Sequence, residues 1–161
     1  MTETETLAAI EAIKVLKARY FRGIDTKDWE LMRQVLAPDV VCDYRGATQD
    51  PATGYNPAAA TEKIIEGAEP AIEMMRTGLA RVTSVHHGMM PEIEVTGADS
   101  ARGVWPMVDR LLYPAGGPLR ELIGYGHYHE TYRRTADGWR IATIRLTRLR
   151  LDFLRSEPQT A

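Results

Sequence analysis

Gly124-Tyr125-Gly126-His127-Tyr128-His129-Glu130-Thr131-Tyr132-Arg133-Arg134-Thr135-Ala136-Asp137-Gly138-Trp139-Arg140-Ile141 is the stretch that decides the fold. Two long runs meet at Ala136-Asp137-Gly138, a turn short enough to predict an antiparallel hairpin. Working outward, four long strands are expected, over Val82–Val95, Ala101–Tyr113, Leu119–Arg134 and Trp139–Phe153. Short Gly/Pro/Asp connections at 96–99 and 114–118 continue the hairpin pattern.

Upstream of these strands the apolar period changes to that of a helix. Leu7, Ile10, Ile13, Leu16, the stem of Lys17, Tyr20 and Ile24 form a stripe of period 3.6, loosened at Gly23. A second short helix is predicted from Asp28 through Leu36, stopped by Pro38, and a strand over Val40–Tyr44. Residues 45–57 read as a loop. Asn56-Pro57 predicts a helix start, with helix to about Glu66, a break at Gly67 and a resumption after Pro70 through Met75. Residues 154–161 are expected to be a loose tail. Helices followed by an antiparallel meander predict one α+β domain over residues 1–161: a curved antiparallel sheet, or half-barrel, forming a cone closed by the N-terminal helices.

Composition narrows the function. The chain is 44% hydrophobic and 26% charged with a formal net charge of −2, so a basic nucleic-acid footprint is not expected. Cys42 is its single cysteine, which excludes an intrachain disulfide, and no Cys/His cluster has zinc spacing. The acidic start Met1-Thr2-Glu3-Thr4-Glu5 does not read as a signal peptide, and no apolar run approaches a membrane span. A cytoplasmic protein without metal or cofactor is the expectation, since no Gly-rich phosphate loop is present either.

Strand alternation selects candidate site residues. In the second long strand Ala101, Gly103, Trp105, Met107, Asp109, Leu111 and Tyr113 share the apolar face, and Asp109 is its one charge. A buried carboxylate needs a partner or a proton, so Asp109 is either a functional acid or half of a structural ion pair. In the fourth strand Ala142, Ile144 and Leu146 make Arg148 the inward arginine, suited to holding a ligand oxygen or to neutralising Asp109. The third strand shows no clear apolar face. His86 and His87 are adjacent, so one faces in and one out, and periodicity does not choose between them. Tyr20 lies on the helical stripe and points toward the sheet. Asp25 follows the first helix as a cap, unless Asp28 caps the second helix and leaves Asp25 free.

Three stretches together resemble SnoaL-like proteins of the nuclear transport factor 2-like superfamily. They are Ala18-Arg19-Tyr20-Phe21-Arg22-Gly23-Ile24-Asp25-Thr26-Lys27-Asp28-Trp29, Val85-His86-His87-Gly88-Met89-Met90-Pro91-Glu92-Ile93, and the closing hairpin quoted above. Within that superfamily the pattern is similar to cofactor-free lyases: bile-acid 7α-dehydratase, scytalone dehydratase and hexachlorocyclohexane dehydrochlorinase. The resemblance implies a dyad of Asp25 and His86 and selects His86 over His87. It also matches Tyr20 and Asp109 to the dehydratase tyrosine and strand aspartate. It departs at Met89 and Met90, where relatives often carry a further histidine, which implies a more apolar pocket.

The implied function is a dehydratase-type β-elimination on a hydrophobic ring-bearing molecule such as a steroid, terpenoid or lignin-derived aromatic. His86 would act as general base, Asp25 would orient it, Tyr20 would donate to a substrate oxygen and Asp109 would protonate the leaving group. Tyr44, Trp105, Met107, Met90, Tyr125 and Arg148 are the expected substrate contacts, with Leu111, Ile72 and Met75 completing the wall. An isomerase or polyketide-cyclase-type enzyme, and a non-catalytic small-molecule-binding module, are the rival readings. The outer sheet face, with Arg102, Arg110 and Arg133 among tyrosines and threonines, implies a homo-oligomer, a trimer ahead of a dimer by likeness to the lyases. Neither nucleic acid nor membrane is an expected partner.

Overall fold

The computed structural model describes residues 1–59 and 63–156. Three helices and seven strands run in the order α1 (Glu3–Thr26), α2 (Trp29–Val35), β1 (Leu36–Asp43), β2 (Ile64–Glu66), α3 (Ala68–Gly78), β3 (Thr83–Gly88), β4 (Glu92–Gly97), β5 (Ser100–Leu112), β6 (Leu119–Thr135) and β7 (Gly138–Arg155). The strands form one sheet ordered β2-β1-β7-β6-β5-β3, with β4 also paired to β5. All neighbours are antiparallel except β1, which joins β7 in parallel. The result is the α+β cone expected of the sequence.

Helix α1 is the lid. Thr2 and Glu5 cap its N-terminus reciprocally, with Thr2 N–H donating to Glu5 Oε2 at 2.7 Å and Glu5 N–H to Thr2 Oγ1 at 3.2 Å. Its buried stripe is Ala9, Ile13, Leu16, Lys17, Tyr20, Gly23 and Ile24, close to the stripe read from the sequence. Gly23 does not loosen the helix. It lies inside α1, where an added Cβ would stand 2.9 Å from Met32 Sδ, so its role is the close approach of α2. Asp28 caps α2 by accepting from Leu31 N–H at 2.9 Å, which leaves Asp25, in the last turn of α1, free to point elsewhere.

Lys17 is fully buried. Its ammonium pairs with the equally buried Glu130 and lies over the rings of Tyr128, Tyr20 and Phe21, at 3.7, 4.3 and 4.6 Å from their centroids. Glu130 also accepts from the Tyr132 hydroxyl at 2.7 Å, and Tyr132 in turn accepts from Trp105 Nε1 at 2.7 Å. A buried pair of this kind is tolerated because every polar atom in it is satisfied.

Four local expectations change. The helix predicted from Asn56-Pro57 to Glu66 does not form among the described residues: 56–59 are turn and irregular chain, and Ile64–Glu66 is β2, which pairs with and covers the edge of β1; residues 60–62 of that prediction lie outside the described residues. The first long strand is two, β3 and β4, broken at Met89-Met90-Pro91, where Pro91 has no N–H to continue the ladder. Strand β1 begins at Leu36 and runs through Pro38. Leu154 and Arg155 belong to β7, opposite Glu121 and Leu119; residues 157–161 of the predicted tail lie outside the described residues.

The face of β6 that the sequence left undecided is now plain: Leu122, Gly124, Gly126, Tyr128, Glu130 and Tyr132 face in. Two of the three register shifts in the β6–β7 ladder, at Thr131/Tyr132 and Tyr125/Gly126, offset the alternation of β7. Ile141 and Ile144 are therefore both buried, and Leu149 is thrown outward. On the outside, Arg102, Arg110 and Arg133 are each paired within the chain, to Glu94, Glu121 and Asp39. No described helix is long and apolar enough to cross a membrane.

Candidate active site

His86 and Asp25 meet inside the cone. Alternation along β3 turns His87 out and His86 in, leaving the His86 side chain 6% exposed. Its Nδ1 lies 2.7 Å from Asp25 Oδ1, and its backbone N–H donates to Asp25 Oδ2 at 2.8 Å. Both oxygens of one carboxylate are thus fixed by a single residue, which sets the ring plane. Phe21 stacks on the imidazole, with centroids 6.2 Å apart and planes 15° from parallel. Burial pushes the Asp25 carboxyl up, but the hydrogen bonds from the His86 ring and backbone and from Ser84 outweigh it and hold Asp25 below its ordinary value. Asp25 is a carboxylate at neutral pH, and its natural donor is an Nδ1–H, which would leave Nε2 as the basic nitrogen.

The imidazole edges a cavity of about 200 Å³. Its polar wall is made by Tyr20, Tyr44, Tyr128, Thr48, Asp109 and Arg148, and its apolar wall by residues of α1, α3, β5 and β7 such as Ile24, Met75, Leu111 and Leu146. Burial, followed by the closeness of neighbouring acidic groups, raises all three phenols well above their usual value, so each is a protonated donor. Tyr20 and Tyr44 lie close enough to perturb one another. Cys42 lies behind them, its thiol pushed up to about 12 by burial, which makes it a packing residue rather than a nucleophile.

Asp109, the cross-strand neighbour of His86, forms the adjoining corner with Arg148. Arg148 Nη1 and Nη2 donate to Asp109 Oδ1 and Oδ2 at 2.9 and 2.8 Å, and its Nε donates to Ala47 O at 2.7 Å. Of the two readings of Asp109, the geometry is that of the ion pair. Both carboxylate oxygens are occupied by one guanidinium, so neither is positioned to carry a proton to a leaving group. Gly124 makes room for this pair: a Cβ there would fall 2.1 Å from Asp109 Oδ1 and 2.3 Å from Arg148 Nη1.

Of the predicted residues, Tyr20, Tyr44, His86, Asp109, Arg148, Leu111 and Met75 come together around this cavity, with Asp25 behind the imidazole. Five do not. Met90 is 90% exposed, carried out by the break between β3 and β4. Tyr125 stands on the outer face of β6, because Gly124 and Gly126 take the inner positions. Trp105 faces in, but its indole is spent on Tyr132 at the Lys17–Glu130 end of the cone. Met107 is buried with its Sδ 3.6 Å from Arg148 Nη1, bracing the guanidinium rather than lining the cavity. Ile72 packs in the core away from the cavity. Tyr128, Thr48, Met74, Gly78 and Leu79 also line the cavity and were not anticipated. For Tyr128 the overlooked signal was the pair of glycines sharing its face, since glycines two apart in a strand mark a crowded interior.

Among the described residues no group of three or more His, Cys, Asp or Glu is arranged to hold a metal ion.

Among solved structures, the chain is similar to a scytalone dehydratase-like protein from Novosphingobium aromaticivorans (14% identity, 97% of this chain and 94% of the other, TM-score 0.76). It is similar in the same way to hexachlorocyclohexane dehydrochlorinase LinA-type3 from Novosphingobium barchaimii (16%, 95% and 94%, 0.73) and to Kfla4162 from Kribbella flavida (20%, 90% and 93%, 0.75). At these identities the likeness is one of fold. The SnoaL-like domain family matches residues 5–145 of the sequence. With that match spanning most of the chain, and with the cone that its helices and sheet build, the protein belongs to the SnoaL-like family and has the nuclear transport factor 2-like fold.

Proposed function

We propose that the protein is a cofactor-independent lyase that removes a small leaving group, water in the first instance, from a compact ring-bearing molecule by β-elimination. The observation that carries this reading is the 2.7 Å contact of His86 Nδ1 with Asp25 inside a largely apolar cavity. His86 Nε2 takes the proton from carbon. Asp25 holds the tautomer and stabilises the imidazolium as it forms. Tyr20 and Tyr44 donate to the oxygen on which charge builds. Asp109 and Arg148 act together as a neutral pair that orients the guanidinium toward the ligand. Two of the similar structures carry the names of a dehydratase and a dehydrochlorinase, and proton abstraction beside a leaving group is the chemistry such a dyad serves.

The cavity supports a small substrate. At about 200 Å³ it lies below the usual range of roughly 300–1,000 Å³ for drug-sized ligands. One ring, or two fused rings, suits it better than a steroid nucleus, which favours a lignin-derived aromatic or a small terpenoid. A neutral substrate bearing one or two oxygens matches three phenol donors and a charge-balanced wall.

The test is a screen of hydroxylated one- and two-ring compounds with product mass as the readout. Loss of water supports elimination, and a product of unchanged mass means the isomerase or cyclase reading instead. His86→Ala should lower turnover by about 10²–10⁴-fold, the usual worth of one positioned proton-transfer group. Undiminished turnover in that variant overturns the base assignment.

A further inference from the structure

We infer that Ser84 and Lys27 are positioning residues for the dyad, forming with it a hydrogen-bonded line Lys27–Ser84–Asp25–His86 that holds the Asp25 carboxylate against the imidazole. This inference rests on the dyad reading above and deepens it. Ser84 precedes His86 by two residues on β3, so its side chain leaves the same inner face, and it is buried. Lys27 follows Asp25 by two residues and is the C-cap of α1. Its Nζ donates to Ser84 Oγ at 2.9 Å and to Ile24 O at 3.3 Å. A serine hydroxyl has one proton. With the ammonium donating to Ser84 Oγ, that proton is free for an acceptor, and the Asp25 carboxylate is the acceptor at hand.

The backbone at Lys27 points the same way. Its φ of 60° is the left-handed conformation, and Lys27 is the one non-glycine residue with positive φ among those described. Glycine or asparagine is the usual choice at such a cap. A lysine there is explained if its side chain has work: one proton caps a helix carbonyl and another reaches Ser84. The plain alternative is a helix cap and nothing more, which Lys27→Gly would satisfy fully.

Electrically, the line places one cation behind Asp25. Lys27 favours the Asp25 carboxylate and would oppose a positive charge on the ring that carboxylate holds. The other charged or titratable groups near the dyad include Asp109 and Arg148, which pair directly with each other at 2.8 Å, the phenols of Tyr20, Tyr44 and Tyr128, Lys17, which lies beyond the Phe21 ring and is paired with Glu130, and His87, which is turned outward.

The experiment is an NMR titration of the His86 ring in the full-length protein, with wild type, Lys27→Gly, Lys27→Arg, Ser84→Ala and Asp25→Asn compared. Lys27→Gly preserves the left-handed cap, so its melting temperature should match or exceed wild type. It should nonetheless raise the His86 midpoint by about 0.5–1 pH unit, the scale of one partly screened charge. Ser84→Ala should move the midpoint in the same direction, and Lys27→Arg should restore it. A wild-type midpoint in both Lys27→Gly and Ser84→Ala overturns the relay. Asp25→Asn separates that failure from failure of the dyad itself: if it too leaves the ring's titration unmoved, the dyad reading falls, whereas a shift in Asp25→Asn alone sinks only the relay.

Discussion

His86 stands opposite Asp109 in the β3–β5 register, yet the two side chains bond to different partners: His86 to Asp25 of α1, and Asp109 to Arg148 of β7. Two carboxylates so close to one imidazole would otherwise compete for it. The guanidinium resolves the competition by occupying both oxygens of Asp109, and His86 is left with Asp25 as its carboxylate partner. The site thus sets a carboxylate–imidazole contact beside a carboxylate–guanidinium pair.

Asp25→Asn should retain the fold and lose most of the activity. An asparagine side chain can present its NH2 to Nδ1 and so favour the tautomer in which Nε2 carries the proton and is no longer a base. The expected loss is at least about 10²-fold in kcat, within the range for removing a proton-transfer function. Ring nitrogen shifts in the same variant would show the change of tautomer directly.

The same carboxylate gives stability a defined pH dependence. Despite burial, the hydrogen bonds from His86 and Ser84 depress Asp25 below its ordinary value of 3.8 when the protein is folded. Folding therefore sheds a proton from Asp25 in the acid range, so its contribution is whole above the ordinary value and is lost as pH falls through the depressed one. Urea midpoints of wild type and Asp25→Asn should differ most near neutrality and converge on acidification. A constant gap across that range would show that Asp25 is not linked to folding in this way.

Much of this was legible from residue types and spacing. The helical stripe from Ile13 to Ile24 placed Tyr20 inward, and alternation along β5 placed Asp109 on the buried face with Arg148 as an available partner. The choice between His86 and His87 was not, because neighbouring strand residues differ only in which face the partners cover. Nor was the inner face of β6, where glycines stand in place of apolar side chains. Met90 was misplaced because local sequence does not show where a ladder breaks, and Tyr125 because the glycines that take the inner face beside it carry no apolar signal. Long-range pairing decides such matters, as it does for Ile64–Glu66, a helix by its neighbours and a strand by the edge it covers.

Arg148→Met should be markedly more harmful than the double change Arg148→Met with Asp109→Leu. The single change strands a buried carboxylate, at a cost of about 3–5 kcal/mol, whereas exchanging both partners for apolar groups of similar bulk is often near neutral. Chemical denaturation of the two variants measures the difference. The double variant should also lose ligand affinity, since it removes the one guanidinium that lines the cavity among the described residues.

Gly124→Ala tests the crowding behind that pair. The added methyl would overlap both Asp109 Oδ1 and Arg148 Nη1, neither of which can retreat without breaking the other's bonds. Overpacking of this kind costs about 1–3 kcal/mol, and here it should also displace the guanidinium from the cavity wall. A melting temperature equal to wild type, with Arg148 undisturbed by its Nε shift, would mean that the pair is less tightly seated than its distances imply.

Gly78 offers the opposite case, and with it a test of cavity size. It closes α3 at the cavity's edge, its φ is not in the left-handed region, and an added Cβ meets nothing within 4 Å. Gly78→Ala should therefore stabilise the protein by about 0.4–1 kcal/mol through the unfolded chain's lost freedom. Gly78→Leu extends a side chain at the margin of a cavity of only about 200 Å³ and should raise KM for two-ring substrates more than for one-ring ones. Because Gly78 touches neither His86 nor Asp25, kcat at saturation should hold. An equal loss of kcat for substrates of every size would mean that the leucine disturbs the dyad, and the space beside α3 would then not be where the ligand's bulk resides.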